Sequence, residues 1–345
     1  MLLYLDAAKL RALARGCGLL AAGAGGDPQV ALLTALLAVQ DHGPVGVAGL
    51  DELEDDSLVV PCGLIGATQL ANERILSGDE GQILCRMLED LHHARVGALM
   101  CFEAAGVNGM VPVTWAARTG LPLLDADGAG RSFPGFQQRA MHVAGVPASP
   151  VVLTDGRDNV LVIHSGEDDS AARLARGAAA ELGGVCAAAG YAMTAGRART
   201  AVISGSLSRA VALGRATESR GRPVGARGLA EALDGALLIE GRVTEFERSS
   251  ITVEGTARDA GRQIRIELRG GFVIALEDGE VRASVPDLIA VVGANTAAPI
   301  ASETLRRGAR VSVLAAPAHA VWRTAGGLAV AGPEAFGYAI EYRHG

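Results

Sequence analysis

The spacing of apolar residues along the first half of the chain predicts helices and strands that alternate. One helix is predicted to begin after Asp6 and to end at Gly16. A second helix is predicted from about Pro28 to Gln40, and because it is apolar nearly all round we expect it to be buried. Short apolar runs without helical spacing predict buried strands at 45–50 and 57–66.

This alternation of elements continues to residue 184. The further predicted elements are a helix over 79–94, a strand from 96 that runs into a glycine loop, a helix over 112–120, and strands over 121–127 and 159–165, followed by a helix over 168–184. Strands that alternate with helices favour a mainly parallel sheet covered by helices on both faces. We therefore predict an α/β fold for this part of the chain.

The pattern changes after about Ala230, where short β-prone runs follow one another. Asp278-Gly279 between two of these runs is a strong hairpin signal. We predict two domains, an α/β domain over 1–166 and a second part over 167–345 that consists of a linking helix and a β-rich domain. The predicted boundary near Gly166 is soft, and no internal repeat has a fixed period.

Composition and charge narrow the classes of protein that this chain can be. Hydrophobic residues make up 49% and charged residues 20% of the 345 residues, so the chain can bury a large core. The net charge is -7 and no lysine- or arginine-rich run occurs, which argues against a nucleic-acid partner. The first residues lack a basic signal-peptide region, and the uncharged stretch 288–302 is too short and polar to span a membrane. We expect a cytoplasmic protein with no membrane partner, and we leave a homo-oligomer open.

The five cysteines are scattered and include no C-x-x-C pair, which argues against a disulfide framework or a zinc site. We expect small buried thiols. Cys17 alone precedes a glycine loop, but no partner base for a covalent route is identifiable.

The stretch LPLLDADGAGRSFPGFQ, residues 121–137, carries the strongest signal for chemistry. If its first part is a strand, Asp125 and Asp127 project from the same face, and glycines after them let Arg131 turn back to pair with a carboxylate. Two such carboxylates can hold a divalent metal ion, share a proton, or divide into acid and base. The alternative is an Asx-turn with a surface ion pair.

Two other loops add candidate polar groups. Glu103 ends a predicted strand and Asn108 follows in its loop, at the edge where open α/β sheets bind ligands. Burying a carboxylate beside so apolar a run is costly unless a partner pairs with it. Without a partner, the pKa of the carboxyl group rises. The glycine loop before the second helix offers the backbone N–H groups of Gly25 and Gly26, with Asp27 as an acceptor for a neutral ligand. The alternatives are a tight turn for the glycine loop and a turn-capping role for Glu103.

Several motifs together resemble a known family. In chain order they are GLLAAGAGGDP, EAAGVNG, GLPLLDADGAGRSFPGFQ, ISGSLSRAVALGRA and PDLIAVVGANTAAPIASETLRRGARVSVLAAPA. They resemble the S-methyl thiohydantoin desulfurase-like family, whose members look like companions of hydantoinase and oxoprolinase enzymes. The resemblance covers about residues 16–342 and is most specific at D-A-D-G-x-G-R and P-D-L-I. It implies an α/β half, a β-rich half, and hydrolysis at C2 of an S-methyl thiohydantoin ring with release of a thiol.

Three positions depart from the family pattern. GAGG replaces a run of four glycines, Ala105 replaces a glycine, and Arg269-Gly270-Gly271 stands where the family often has Asn-Glu in a hairpin. If that Asn-Glu contacts substrate in relatives, this chain has a different substrate or has lost activity.

The hypothesis that joins these observations is a hydrolase for a cyclic imide or thiohydantoin. Asp125 and Asp127 divide the roles of base and acid, Arg131 keeps one of them ionised, and Glu103 is the third catalytic candidate. Gly25, Gly26, Asp27 and Asn108 bind the ring, with no organic cofactor. Two alternatives stay open: a non-catalytic accessory subunit of a hydantoinase-type system, and a hydrolase with a divalent metal at the two aspartates.

Overall fold

Two β-sheets, one from each half of the chain, organise the structure, a computed structural model that describes residues 3–67, 70, 76–219 and 222–342. The helices are α1 (Ala7–Leu20), α2 (Gln29–His42), α3 (Glu80–His92), α4 (Val111–Thr119), α5 (Ala140–Val143), α6 (Asp168–Glu181), α7 (Ala195–Ala198), α8 (Ser206–Ala216), α9 (Ala226–Ala232) and α10 (Ala325–Ala331). In these ranges no helix is long and apolar enough to cross a membrane.

The strands of the first half are β1 (Leu3–Leu5), β2 (Val45–Ala48), β3 (Leu58–Gly66), β4 (Val96–Cys101), β5 (Leu123–Asp127), β6 (Val151–Thr154), β7 (Val160–Ile163), β8 (Val185–Ala189), β9 (Met193–Thr194) and β10 (Ile203–Ser204). Their main spatial order is β1-β2-β5-β4-β3-β8-β6-β7. The central strands β2, β5, β4 and β3 are parallel, as predicted, and antiparallel strands extend the sheet on both sides.

Helices cover both faces of this sheet, which confirms the predicted layer arrangement. Along β4, Leu99 and Cys101 pack into one apolar cluster and Ala98 and Met100 into another, because successive side chains of a strand point to opposite faces. The first cluster includes the buried residues of α1, α2, α4 and α8, and the second includes those of α6. The carboxyl ends of β3, β4 and β5 meet at one edge between these layers.

The second half forms an antiparallel sheet, as the β-prone runs predict. After the small pair β11 (Glu218–Ser219) and β12 (Arg222–Pro223), its strands are β13 (Ala236–Phe246), β14 (Ser250–Gly255), β15 (Gln263–Leu268), β16 (Phe272–Glu277), β17 (Glu280–Ser284), β18 (Leu288–Gly293) and β19 (Arg310–Ala316). Asp278 and Gly279 form the predicted hairpin turn between β16 and β17, with φ of 51° and 82°.

The first sheet also takes up residues that follow 166. The helix α6 packs on it, β8 and β9 both pair with β3, and β10 pairs with β5. The division of the chain into units 1–166 and 167–345 stays a prediction.

Two sequence predictions about helices were wrong. Gly16 does not end α1, which continues to Leu20, because this glycine is a packing position: a Cβ there would lie 1.9 Å from the carbonyl oxygen of Ala210 in α8. The second helix is not buried all round, since Leu33 and Leu37 of α2 are 61% and 60% exposed. A uniformly apolar helix sequence cannot indicate which face meets the protein.

The contact between α1 and α8 generates a stability prediction. Gly16→Ala is expected to lower the free energy of unfolding by about 1–3 kcal/mol, because the added methyl group has no space. Gly177→Ala is the matched control: this exposed glycine of α6 has no atom within 4 Å of the added Cβ. There the helix propensity of alanine should raise stability by about 0.5–1 kcal/mol. Urea unfolding measures both, and equal stability of the two variants would contradict the packing argument.

Candidate functional site

A cavity of about 690 Å³ lies at the carboxyl edge of the parallel strands, between the two sheets. The ends of β3 and β4 form one side, and the glycine loop after α1 forms another. The turn between β15 and β16 contributes Gly270 and Gly271, and α6 contributes Ala172 and Ala175. A site between two structural units at this edge is where α/β proteins commonly bind small ligands.

Glu103 is the carboxylate that this cavity contains at its buried end. It lies two residues after the end of β4, close to the predicted strand end, and is only 3% exposed. Its Oε1 accepts hydrogen bonds from Ser132 Oγ at 3.0 Å and Asn108 Nδ2 at 3.4 Å. Its Oε2 accepts one from the Phe133 backbone N–H at 3.3 Å. Burial raises the pKa of Glu103, and these donors, together with the neighbouring Arg139, oppose that rise.

Asn108 is held rigidly beside Glu103. Its Oδ1 accepts a hydrogen bond from Leu64 N–H at 2.7 Å, and its Nδ2 donates to the Leu64 carbonyl at 3.3 Å. The amide thereby pairs with the end of β3 as a neighbouring strand would. Gly63 permits this approach, since a Cβ there would lie 2.8 Å from Oδ1. The structure therefore brings Glu103 and Asn108 together in the cavity.

Arg139 completes this group, and sequence reasoning missed it. Its Nη2 lies 3.3 Å from Glu103 Oε2, and both side chains are almost fully buried. Its Nη1 donates to the carbonyls of Gly135 and Gln138 at 3.3 and 2.8 Å, whereas Nε has no hydrogen-bond partner among the described residues. No motif marks Arg139 in the sequence. Only the need of a buried carboxylate for a cation indicates that such a residue exists.

The glycine loop is divided between two cavities. Gly25 lines the cavity of Glu103, and its carbonyl accepts a hydrogen bond from Val107 N–H at 2.8 Å. Gly26 and Asp27 line a separate cavity of about 610 Å³ on the other side of the loop. Asp27 Oδ1 accepts from Gln29 N–H at 3.0 Å, which is a local turn contact just before α2. The predicted ring-binding group is therefore not brought together as a whole.

Asp127 does not line either cavity, and the catalytic role predicted for it stays a prediction. Its carboxylate is completely buried and accepts hydrogen bonds from the backbone N–H groups of Ala104, Ala129 and Gly130 at 2.7, 3.2 and 2.9 Å. Ser206 Oγ donates a further hydrogen bond at 2.9 Å. These contacts connect the loops after β4 and β5 to the start of α8.

Asp125 makes a structural contact with the start of α8, and the catalytic role predicted for it also stays a prediction. Its side chain does point to the same side of β5 as that of Asp127, since both reach the start of α8. Asp125 accepts hydrogen bonds from Ser208 N–H at 2.9 Å and Ser208 Oγ at 2.6 Å. Gly205, at the cap position of this helix, has no side chain for the purpose, so Asp125 acts as the cap from another strand.

The two aspartates do not fit a divalent metal ion in this arrangement. Both oxygens of Asp127 accept hydrogen bonds from N–H or O–H donors. The lone pairs of these oxygens are therefore in use, whereas a metal ion would need them as ligands. Within the described ranges, no group of three or more His, Cys, Asp or Glu side chains is placed to hold a metal.

The sequence predicted that Arg131 turns back to pair with an aspartate of its own loop, and this prediction was wrong. Arg131 is buried, with its Nη1 3.2 Å from the Pro286 carbonyl, and it donates also to the carbonyl of Asp287. Burial lowers the pKa of Arg131 to about 10, while Asp287 and Glu103 oppose that shift. This residue joins the loop after β5 to the second sheet.

The remaining cysteine candidate is inaccessible. Cys17 is buried, as are the other four cysteines, which confirms the prediction of small buried thiols. Burial raises the pKa of the Cys17 thiol, and Asp127 raises it further. A covalent route through this thiol has no support in the geometry.

Comparisons with known proteins find matches over almost the whole chain. Two family models match the chain: "S-Me-THD-like, N-terminal domain" over residues 8–165 and "S-Me-THD-like, C-terminal domain" over residues 166–344. The crystal structure of a protein from Chromobacterium violaceum is similar over 99% of both chains, with a TM-score of 0.87 and 21% sequence identity. At this identity the likeness shows the fold alone. No curated protein matches the chain significantly.

The contact of Asp125 with the start of α8 generates a prediction about stability. Asp125→Ala is expected to lower the free energy of unfolding by about 1 kcal/mol, because Ser208 N–H loses its acceptor. Asp158→Ala, at an exposed turn position, is the control and should leave stability within about 0.5 kcal/mol. Chemical denaturation measures both variants. An Asp125 variant as stable as the control would show that the carboxylate does not cap the helix.

Proposed function

The chain belongs to the S-Me-THD-like family, and from this premise we propose that its cavity binds a hydantoin-like or S-methyl thiohydantoin ring and hydrolyses it at C2. The observation that carries the proposal is the buried Glu103 in the cavity, with Asn108 and Arg139 in contact with it. A small cyclic molecule is the expected partner, and a cytoplasmic location is part of the proposal.

The walls of the cavity suit a small planar ring. Its volume, about 690 Å³, lies within the range common for small-molecule sites. Leu64, Phe133 and Phe136 provide apolar surface, and Glu103 with its polar partners lies at the buried end. Such a ring needs apolar contact for its faces and hydrogen bonds for its imide edge.

Glu103 is placed to serve as the acid–base group. Water oxygen forms a bond to C2 while Glu103 accepts a water proton, which it then passes to the ring nitrogen as the C2–N double bond becomes single. The C2–S bond breaks next, the second water proton leaves with the sulfur as thiol, and the carbonyl forms. A carboxylate with a pKa raised by burial is suited to accept and return a proton near neutral pH.

The other groups of the site position Glu103. Arg139 favours its ionised form, which is the form that accepts a proton. The four contacts of Glu103 measure 3.0–3.4 Å and are therefore long, so one of them can exchange for a water or a ring N–H. The N–H groups of the glycine loop are the candidates for polarising a ring carbonyl.

One observation favours the alternative, a non-catalytic ligand-binding or accessory subunit. Gly270 and Gly271 bring only backbone to the cavity at the hairpin where the family often has Asn-Glu. Arg269 donates to the carbonyl of Phe336 and does not line the cavity. If the second catalytic group of relatives lies in this hairpin, the ring would be bound here without turnover.

Thiol release tests the enzymatic proposal. Purified protein is incubated with S-methyl thiohydantoin, and methanethiol is titrated with a chromogenic thiol reagent. Glu103→Gln is expected to reduce the rate at least 10²-fold, since a general acid–base group contributes about that much. Asp125→Asn, outside the cavity, should keep nearly the full rate. Full activity of Glu103→Gln would remove the role proposed for Glu103.

Ligand-induced stabilisation separates the two functions. A ring that binds only the folded protein raises its melting temperature. At a ligand concentration of 100 times Kd, binding adds about 2.7 kcal/mol to the free energy of unfolding. Stabilisation by hydantoin or S-methyl thiohydantoin without thiol release would support the accessory subunit. If these rings neither stabilise the protein nor release a thiol, both forms of the proposal are overturned.

A further inference from the structure

We propose that two copies of this chain pair through strand β7, so that their first sheets join edge to edge in a symmetric dimer. The interface lies at the outer edge of the first sheet, and β7 lines neither of the two large cavities. The inference goes beyond the proposed function and does not rest on it.

Strand β7 has an unprotected apolar edge. It ends the first sheet, and among the described residues only β6 pairs with it. Its sequence is VLVI, and Val160 and Leu161 are 38% and 37% exposed. Edge strands usually carry charges that prevent such pairing, as β17 of the second sheet does with Glu280 and Arg282. The edge of β7 therefore favours addition of another strand.

The backbone of β7 presents its outward groups at alternate residues. Asp155 N–H donates to the Asn159 carbonyl at 3.4 Å, so the backbone of Asn159 faces β6. The bonding direction alternates along an antiparallel strand, so that Leu161 also bonds to β6. Val160 and Val162 consequently direct their N–H and C=O groups outward. An antiparallel strand from a second copy can pair with exactly these groups on both sides.

A two-fold axis through Val162 gives a register that suits both copies. Residues that bond outward must face one another, so Val162 lies opposite Val162 of the partner subunit. In this register Leu161 lies opposite Ile163 of the partner subunit, on the face of the sheet that α6 covers. The dimer contains this apolar cross-strand pair twice, and such pairs stabilise strand pairing.

Charged residues beyond both ends of β7 favour the same register. Arg157 lies in the turn before the strand, and Glu167 directly precedes α6. Both are exposed, and neither forms an ion pair within the part of the chain that the structure describes. With Val162 at the axis, Arg157 lies opposite Glu167 of the partner subunit, and this pair also occurs twice. An axis through Leu161 would instead place Arg157 opposite Ser165 of the partner subunit.

An exposed leucine of α6 extends the apolar surface. Leu174 is 55% exposed, whereas Ala172 and Arg176 of the same helix line the cavity at the end of β3. A helical residue turns by about 100°, so Leu174 lies on the opposite flank of α6. That flank is directed away from β3 and toward β7, because β8, β6 and β7 follow β3 in the sheet. Leu161 points to the same face, so pairing would cover both leucines.

Sedimentation equilibrium of the full chain over a concentration series tests the proposal. We expect a reversible equilibrium between monomer and dimer. A monomer at every concentration, or an assembly of more than two chains, would overturn the proposal.

Substitution of single leucines locates the interface. Leu161→Lys is expected to raise the Kd of the dimer by about tenfold, because a charge in the strand pair loses water without gaining a partner. Leu33→Lys is the matched control, since Leu33 is 61% exposed on α2, which packs against α1 and α4. This control should leave the Kd within about twofold. A larger effect of Leu33→Lys would place the interface on α2 and overturn the proposal. Thermal melting checks that each variant is folded.

Charge reversal tests the register. Arg157→Glu and Glu167→Arg are each expected to raise the Kd about threefold to tenfold, because each variant contains two like-charged pairs in the dimer. The double variant restores opposite charges and should return the Kd to nearly the wild-type value. A contact within one chain cannot produce this rescue, since β7 separates the two residues. A double variant that is as weak as the single variants would overturn the proposed pairing.

Discussion

The buried carboxylate of Asp127 is the contact on which the arrangement of the site depends. A single side chain accepts hydrogen bonds from the loop after β4, from the turn that follows β5 and from Ser206 at the start of α8. Without it, three backbone N–H groups would be buried without acceptors, at a cost of about 1–3 kcal/mol each. The loop that carries Glu103 is therefore fixed by a residue that does not touch the cavity.

The junction of the two sheets combines apolar packing with backbone contacts between loops, since one buried apolar cluster includes side chains of α1 and α8 together with side chains of β18 and β19. Arg131 donates to carbonyls between β17 and β18, and Phe272 N–H donates to the Ala22 carbonyl at 2.9 Å. The added Cβ of a residue at Gly23 would lie 2.3 Å from the Phe272 ring, so the glycine loop fits directly against β16. The glycines of this loop are thus explained by contact with the second sheet as well as by the cavity. A ligand in the cavity would touch both partners of that junction.

The sequence predicts the layers of the fold better than it predicts the site. Hydrophobic periodicity locates most helices and strands, since burial on one or two faces decides which side chains are apolar. It misplaces the end of α1 because a glycine that permits close packing and a glycine that ends a helix look the same in one sequence. The positions of Glu103 and Asn108 at a strand end were predictable from the parallel sheet. Arg139 was not, because its approach to Glu103 depends on how distant loops fold.

The D-A-D motif illustrates why two carboxylates at the end of one strand do not identify a catalytic site. A carboxylate can perform acid–base chemistry only if one of its oxygens can exchange a protein donor for water or substrate. Asp127 is surrounded by donors at 2.7–3.2 Å and does not line the cavity of Glu103, so it has no such freedom there. Glu103 is just as buried, but its contacts are longer and it lines a cavity. Access to an open space, rather than spacing in the sequence, therefore separates the carboxylate that supports the loops from the one that is suited to chemistry.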